Sequence, residues 1–350
     1  MENRTEMGAY TLAPDITTEQ MQAVFFDANA LHEPNYRLCQ LNARGRRYYY
    51  LLGDKEGKLF PSVTTILKQV MPENRFLTEW KMALGKEESE SYTMDRARFG
   101  TFIHGQLQEL LITRKYDLDS LRDNLARYVE REKLPISFME HEDEAKCAML
   151  SFALWMQEYD VRPVAVEISL YHPEYNFAGM LDCVCDMRKF PISDEKAAIA
   201  KAEGDEKKLA KIEEKYSKRV HAIIDFKSTT KDFRDEHIVQ LGLYRMMWDS
   251  TFMDFPIDEI GNVSPKAWLN TANKKVSFQF DWQTDQEILA QIPYLLGIYQ
   301  TLPKEEKKIV IPTGLIDLSG DISSCAKVCA LEDLVAEQES DPFEKLCQDE

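Results

Sequence analysis

The segment 222–227, Ala-Ile-Ile-Asp-Phe-Lys, joins an apolar stretch to two residues that can do chemistry. Side chains alternate along a β-strand, so Asp225 and Lys227 are expected on one face, about 7 Å apart. Asp182 ends the run Gly-Met-Leu-Asp at 179–182, within an earlier β-rich segment. If the two strands pair as a hairpin, both carboxylates can share a hard cation such as Mg²⁺ or Mn²⁺. A neighbouring ammonium would stabilise charge developing on a phosphate, and the set predicts phosphodiester hydrolysis.

The acid-x-lysine spacing alone is not informative, because the chain contains it many times, for example at Glu79 and Lys81. Asp225 differs from those positions in its setting. An apolar β run precedes it, and Gln240 and Tyr244 follow it at a spacing that places both side chains on one face of a helix. The alternative for this pair is a polar helix face with the tyrosine packed on the sheet.

The order of these residues resembles a known family. His104 in Gly-Thr-Phe-Ile-His (100–104), then Asp182, then 225–227, then Gln240-x-x-x-Tyr244 is similar to the RecB-like branch of the PD-(D/E)XK nucleases. Further segments resemble the mitochondrial genome maintenance exonuclease group, and the likeness covers roughly residues 48–299. These segments are Pro61-Ser62-Val63-Thr64, Trp80-Lys81, Glu167 ahead of Tyr175, and Gly179-x-Leu181-Asp182-Cys183-Val184.

The resemblance implies an α/β fold with a restriction-endonuclease-like core, a mixed β-sheet flanked by helices. It implies a metal held by His104, Asp182 and Asp225 with the backbone carbonyl of Phe226, and it gives Lys227 the role of catalytic lysine. It also implies that Gln240 and Tyr244 steady the site and the DNA backbone. Glu167 either contacts the metal or a nearby water, or is a strand residue that is solvated or paired with an arginine.

Three hydroxyl residues are further candidates for substrate binding: Ser62, Thr64 and Ser228. Ser62 and Thr64 lie where a helix is expected to begin, and hydroxyls at a helix N-terminus can donate to a phosphate. Ordinary helix capping explains Ser62 and Thr64 equally well.

The implied activity is a metal-dependent DNA exonuclease that acts on single strands or DNA ends in replication, recombination or repair, with one or two Mg²⁺ or Mn²⁺ ions. Two alternatives remain open: a structure-specific endonuclease on the same fold, and a DNA-processing binding protein without catalysis. The sequence lacks the four cysteines of the iron–sulfur relatives, so no cluster is expected. It begins without a transit-peptide pattern, which favours a bacterial or phage relative in the cytoplasm.

Composition gives a second view of possible partners. The chain has 350 residues, of which 44% are hydrophobic, and a net charge of −17, which opposes non-specific binding to nucleic acid. Nearly half of this charge follows residue 312, where ten acidic residues accompany two lysines. A groove of the opposite sign remains possible, because basic residues cluster locally at Arg44, Arg46 and Arg47, at Arg96 and Arg98, and at Lys227, Lys231 and Arg234. No apolar run is long enough to cross a membrane.

Four regions are expected along the chain. Residues 1–45 form an irregular lead-in with a short helix near 18–26, and residues 46–312 form the nuclease domain. Within that domain, 188–219 is a charged helical hairpin inserted between strands, or alternatively a disordered loop. Residues 313–350 form a flexible acidic tail that either is simply solvated or docks a replication or recombination protein.

Periodicity and turn residues predict the elements of the nuclease domain. They indicate a hairpin over 46–60, a helix that begins beside Ser62, and strands over 164–170, 178–187 and 220–226. They also indicate helices over 94–112, 142–159, 237–248 and 285–302, and a strand pair within 267–280.

Overall fold

The structure is a computed structural model. It describes residues 16–21, 23–43, 46–72, 75–228, 233–266, 275–303, 308–312 and 326–339.

The β-strands in this part of the chain are short at its two ends and long in the middle. Their bounds are β1 Ile16–Met21, β2 Phe25–Phe26, β3 Leu38–Ala43, β4 Arg46–Leu51, β5 Phe60–Pro61, β6 Arg162–His172, β7 Phe177–Arg188, β8 Arg219–Phe226, β9 Glu259–Pro265, β10 Phe278–Trp282, β11 Lys308–Pro312 and β12 Ala326–Ala330.

The α-helices fall mainly before β6 and after β8. Their bounds are α1 Val63–Val70, α2 Arg75–Leu84, α3 Lys86–Thr113, α4 Leu121–Arg131, α5 Glu142–Glu158, α6 Ile192–Ala202, α7 Glu206–Tyr216, α8 Asp235–Thr251, α9 Gln286–Leu289, α10 Ile292–Thr301 and α11 Leu331–Glu339.

The main sheet has the strand order β10-β9-β8-β7-β6-β2 within the described residues. Its neighbours pair antiparallel except β8 and β9, which are parallel and are joined through α8. The predicted α/β class with a mixed sheet flanked by helices is therefore confirmed. The predicted strands over 164–170, 178–187 and 220–226 correspond to β6, β7 and β8.

Both faces of this sheet are covered. One apolar cluster joins α3, α4 and α5 to residues such as Cys183, Cys185 and Ile224, and a second joins α1, α8 and α10 to Val184 and Ile223. Because helices cover both sides, the central strands are buried almost throughout and lose a simple in–out alternation. The two cysteines fill the core.

Gly179 explains how closely α1 and α8 approach β7. A Cβ at this position would lie 3.0 Å from the ring of Tyr244, 3.1 Å from Met247 and 3.2 Å from Val63. A Cβ here would be tighter than ordinary contact, so these three side chains would have to shift by a few tenths of an ångström to admit one.

The charged insertion is helical, as expected. α6 and α7 pack on each other, and Asp205 caps α7 by accepting from the backbone N–H groups of Lys207 and Lys208. The hairpin connects the end of β7 to the start of β8, whereas Asp225 lies near the end of β8. Asp225 is six positions after Arg219 along β8, a distance of about 20 Å. The insertion is therefore at the opposite end of the strand from the candidate site.

The interpretation of residues 1–45 as an irregular lead-in with a helix near 18–26 is wrong. β1 pairs antiparallel with β3, β3 with β4, and β2 with β6. Pairing with existing strands overrides the local helical preference of the segment. A domain boundary at residue 46 would also cut the β3–β4 hairpin in two.

The flexible tail is also wrong for the residues that can be described after 312. β12 pairs with β11, and Leu331, Leu334 and Val335 of α11 are buried in one cluster with Leu41 and Tyr48. Apolar residues three and four positions apart give the helix a buried side, which the acidic composition hides. Residues 313–325 and 340–350 of the predicted tail lie outside the described residues.

The strand pair expected within 267–280 is displaced. β9 begins at Glu259 and pairs antiparallel with β10, which begins at Phe278, while residues 267–274 lie outside the described part. Among the described helices, none combines the length and the apolar composition needed to cross a lipid bilayer.

We expect Leu334→Ala to lower the free energy of unfolding by about 2–4 kcal/mol, because it removes a side chain that is 4% exposed. The matched control is Val328→Ala on β12, which is 62% exposed and should change stability by less than about 0.5 kcal/mol. Urea denaturation measures both. Equal, small effects would contradict the packing of α11 described above.

Candidate active site

Five elements bring the predicted site residues together. His104 comes from the middle of α3, Glu167 from β6, Asp182 from β7, and Asp225 from the end of β8. Lys227 follows β8 directly, and α8 contributes Gln240 and Tyr244. All these residues line one cleft of about 1130 Å³. The carboxyl end of a strand followed by a helix is a common place for a site in an open α/β sheet.

His104, Glu167 and Asp182 form a cluster that could hold a metal. Nδ1 of His104 lies 3.7 Å from Oε1 of Glu167 and 3.8 Å from Oδ1 of Asp182, and a ligand atom from each residue lies within 4.8 Å of the others. Carboxylate oxygens with one imidazole nitrogen are suitable donors for Mg²⁺ or Mn²⁺. Glu167, which the sequence left open, is thus a member of the donor set.

The backbone at Glu167 has an unusual conformation for a strand. Its φ is +52°, in the left-handed region that a residue with a side chain seldom adopts. The neighbouring residues keep the ladder with β7, since Val166 is opposite Cys183 and Ile168 is opposite Leu181. The cost of such a conformation is of order 1–3 kcal/mol, and residues of this kind concentrate at functional sites.

The main chain of Phe226 orients two of the three donors. Its N–H donates to Oδ2 of Asp182 at 2.8 Å, and its carbonyl oxygen lies 3.3 Å from Nε2 of His104. When Nε2 carries the proton and donates to this carbonyl, Nδ1 presents its lone pair towards Glu167 and Asp182. The carbonyl predicted as a metal ligand therefore fixes the tautomer of the imidazole.

Nearby charges and burial together shift the pKa values of His104 and Asp182. Burial alone would lower the pKa of His104, but Asp182, Glu167 and Asp225 outweigh it and raise this pKa from 6.5 to about 9. Burial also raises the pKa of Asp182, reinforced by Asp225 and Glu167 and opposed by His104 and the Phe226 N–H. Without a cation, His104 therefore carries the proton that balances part of the negative charge.

Asp225 is held by a separate network. Its Oδ1 accepts from Nε2 of Gln240 at 3.1 Å, and its Oδ2 accepts from Nδ2 of Asn262 at 2.7 Å. Nζ of Lys227 lies 2.6 Å from Oδ2 of Asp225 and donates to Oε1 of Gln240 at 3.2 Å. Asp225, predicted as a metal ligand, is thus outside the cluster of three and is paired with the predicted catalytic lysine.

Tyr244 supports this network. Its hydroxyl oxygen accepts from Nε2 of Gln240 at 2.9 Å, while its ring packs over Gly179. Burial, with Asp225 and Asp182 nearby, raises the pKa of Tyr244 well above its usual range, so the phenol stays neutral. The predicted pairing of Gln240 with Tyr244 on one helix face is confirmed.

Asn262 on β9 was missed by the sequence analysis. It is fully buried beside Asp225 on the parallel strand, and its amide NH₂ must face the carboxylate because its oxygen cannot donate. Its Oδ1 has no hydrogen-bond partner among the described residues. A polar residue between Gly261 and Val263 in an apolar run was the available signal.

The three hydroxyl candidates differ in position. Ser62 is 3% exposed and caps α1, where its oxygen accepts from the N–H of Thr65 and lies 2.9 Å from the Thr64 hydroxyl. Ser62 and Thr64 both line the cleft. Ser228 lies against Gly100 of α3, with its Oγ 3.1 Å from where a Cβ on that glycine would be.

Basic residues line the cleft in spite of the acidic composition. Arg47, Arg127, Arg131 and Lys227 are among its lining residues. Of the predicted basic clusters, Arg96 is instead paired with Glu144 at 2.6 Å. Arg44 and Lys231, with the side chain of Arg46, lie outside the described residues.

Comparison with models of known protein families gives no match for this chain, and comparison with curated proteins likewise gives none.

We expect Asn262→Asp to lower the free energy of unfolding by about 3 kcal/mol at pH 7, because it places a second carboxylate against Asp225. The deficit should shrink at lower pH, because protonation of the introduced carboxyl removes the repulsion and restores a donor. Urea denaturation at pH 7 and at lower pH measures this. The control is Ser264→Ala on the same strand, whose buried hydroxyl has no partner among the described residues and whose loss should be nearly neutral.

Mn²⁺ binding should weaken as pH falls, because the cation must displace the proton on His104, whose pKa is about 9. Between pH 8.5 and 7 we expect a loss of about tenfold in affinity per pH unit, with proton release. Isothermal titration calorimetry in two buffers of different ionisation enthalpy measures both. His104→Ala should bind weakly with a flatter pH profile, whereas His141→Ala, whose ring instead contacts Asp95 at 2.8 Å, should match the wild type.

Proposed function

We propose that this protein is a metal-dependent DNA exonuclease that hydrolyses phosphodiester bonds of single strands or DNA ends. One observation carries the proposal: the donor atoms of His104, Glu167 and Asp182 converge beside an Asp225–Lys227 pair at one cleft. The resemblance of the same residues to the PD-(D/E)XK nucleases supports it. The mixed sheet also supports the proposal, because its adjacent strands β6, β7 and β8 carry Glu167, Asp182 and Asp225.

The residues divide into two groups with different tasks. The first group, His104, Glu167 and Asp182, would hold a divalent cation, which would supply Lewis-acid activation and neutralise charge on the scissile phosphate. The second group consists of Asp225, Lys227 and Gln240. It places the ammonium group of Lys227 beside the first group. Lys227 stabilises the negative charge that develops on the phosphate oxygens, and Asp225 and Gln240 hold its Nζ in place.

Glu167 and Asp182 also provide carboxylates that can accept a proton during hydrolysis. Water adds to phosphorus and loses a proton, while the phosphorus–oxygen bond to the leaving group breaks and that oxygen takes up a proton. A proton acceptor must therefore lie close to the attacking water. The carboxylates are buried to 6% and 9% exposure, which strengthens their interactions with charge in the cleft. The strained backbone of Glu167 directs its carboxylate towards His104.

Substitution of Asp182→Asn, Glu167→Gln or Lys227→Ala should each lower the cleavage rate on linear single-stranded DNA by about 100-fold or more. The matched control is Asp194→Asn, an exposed acid on α6 at the far end of β7, which should leave the rate unchanged. End-labelled substrate with Mn²⁺ measures the rates, and circular dichroism checks that each variant folds.

Circular single strands separate the proposal from its rivals. An exonuclease leaves a circle whole, so cleavage of circles at the linear rate would replace the proposal with an endonuclease. If wild-type protein cleaves neither form at any Mg²⁺ or Mn²⁺ concentration, the protein is a binder without catalysis.

A further inference from the structure

α4 presents two arginines to the cleft. Arg127 and Arg131 are four residues apart, so both side chains lie on one helix face, separated by about 6 Å along the axis. Both are exposed, and both line the cleft that contains His104 and Lys227. Sequence patterns indicate no element at 121–131, so this helix face is known only from the structure.

The charge on this face is available to a ligand. Arg127 donates to Oδ1 of Asn124 at 2.5 Å and to the carbonyl of Asp123 at 3.4 Å, and it has no ion pair with any carboxylate that the structure describes. Arg131 pairs with Glu132 at 2.8 Å, but the two side chains are 70% and 44% exposed. An ion pair this exposed contributes little and is readily exchanged for a phosphate.

The guanidinium of Arg131 is also positioned by packing. It lies 5.3 Å from the centre of the Tyr128 ring, and the hydroxyl of Tyr128 donates to the backbone carbonyl of Arg98 on α3 at 3.1 Å. An arginine that rests on an aromatic ring loses less freedom when it binds a ligand.

Hydrogen bonds fix α4 relative to the catalytic residues. Nδ2 of Asn124 donates to Oε1 of Gln106 at 2.8 Å, and the hydroxyl of Tyr116 donates to the same oxygen at 2.7 Å. Gln106 is two residues beyond His104 on α3. The arginine pair is therefore held at a set place beside the metal-binding cluster.

We propose that Arg127 and Arg131 bind phosphates of a single DNA strand and feed that strand to the catalytic residues. The inference rests on the proposed function and names the surface that binds its substrate. A polyanion needs local cations to enter a protein of net charge −17, and guanidinium groups bind phosphate through paired N–H donors. A cleft of about 1130 Å³ has the size of a site for a large small-molecule ligand, so it is large enough for a few nucleotides of one strand.

The test measures binding separately from cleavage. Full-length protein in EDTA is titrated into a fluorescein-labelled strand of about 12 thymidines, and anisotropy gives the dissociation constant at several salt concentrations. Arg127→Ala/Arg131→Ala should weaken binding by about 10- to 100-fold and reduce the slope of log K against log salt by about 1.4, the value for two phosphate contacts on a single strand. With Mn²⁺, the same variant should raise KM and leave kcat within about twofold.

Two matched variants sharpen the result. Arg122→Ala removes an arginine on the same helix that is 2.9 Å from Glu142, and it should bind as the wild type does. Arg127→Lys/Arg131→Lys keeps the charge but loses the paired N–H donors and the packing on Tyr128, so its affinity should lie between those of the wild type and the double alanine variant.

Wild-type affinity and salt slope in the double alanine variant would overturn the inference, even if the enzyme cleaves DNA. An equal loss in Arg122→Ala would overturn it too, because total charge would then be responsible. A wild-type protein that binds the strand through these arginines but never cleaves it would contradict only the proposed nuclease activity. Tighter binding of a blunt duplex than of the single strand would also overturn the choice of ligand.

Discussion

Three buried carboxylates, Glu167, Asp182 and Asp225, lie on the adjacent strands β6, β7 and β8, and the rest of the site is arranged around the cost of placing them there. Like charges in a poorly hydrated interior repel strongly, so each acid must have its own donors. Asp182 has the Phe226 N–H and His104, while Asp225 has Gln240, Asn262 and Lys227. Removing any supporting element would leave negative charge without compensation.

This requirement explains why the site draws on so many parts of the chain. α3 supplies a protonated imidazole, α8 an amide, and β9 a second amide, and none of these follows from the strands that carry the acids. A cation bound by the donor atoms of His104, Glu167 and Asp182 would replace the proton of His104 as the balancing charge. The negative charge of the acids can thus be balanced either by the proton on His104 or by a metal cation.

The sequence predicts the central part of the molecule well. Strand and helix periodicity, which local sequence contains, predicts the main pairs of the site. It predicts Asp182 and Asp225 on neighbouring strands, Lys227 beside Asp225, and Gln240 with Tyr244 on one helix face. Asn262 and the arginines of α4 could not be placed this way, because their importance comes from contacts with residues far away in the chain. Asp225 lies in a separate network from His104 and Glu167 because of side-chain hydrogen bonds, and residue spacing does not predict such bonds. The segments at both ends were misread for a related reason: β1 is a strand because β3 is available, and α11 packs because β3 and β4 offer an apolar surface.

That shared surface affects how the molecule forms. Leu41 and Tyr48 are synthesised well before Leu334 and Val335, the side chains that cover them. Until α11 emerges, the small sheet has an uncovered apolar side, while the strands of the large sheet, which all precede α11, can already pair. A nascent chain would therefore expose this side until α11 is made, and a chaperone that binds apolar surface would find it there. Loop closure costs about 0.6 kcal/mol more for each doubling of loop length, so the long separation delays the packing of α11 and adds an entropic cost that grows slowly.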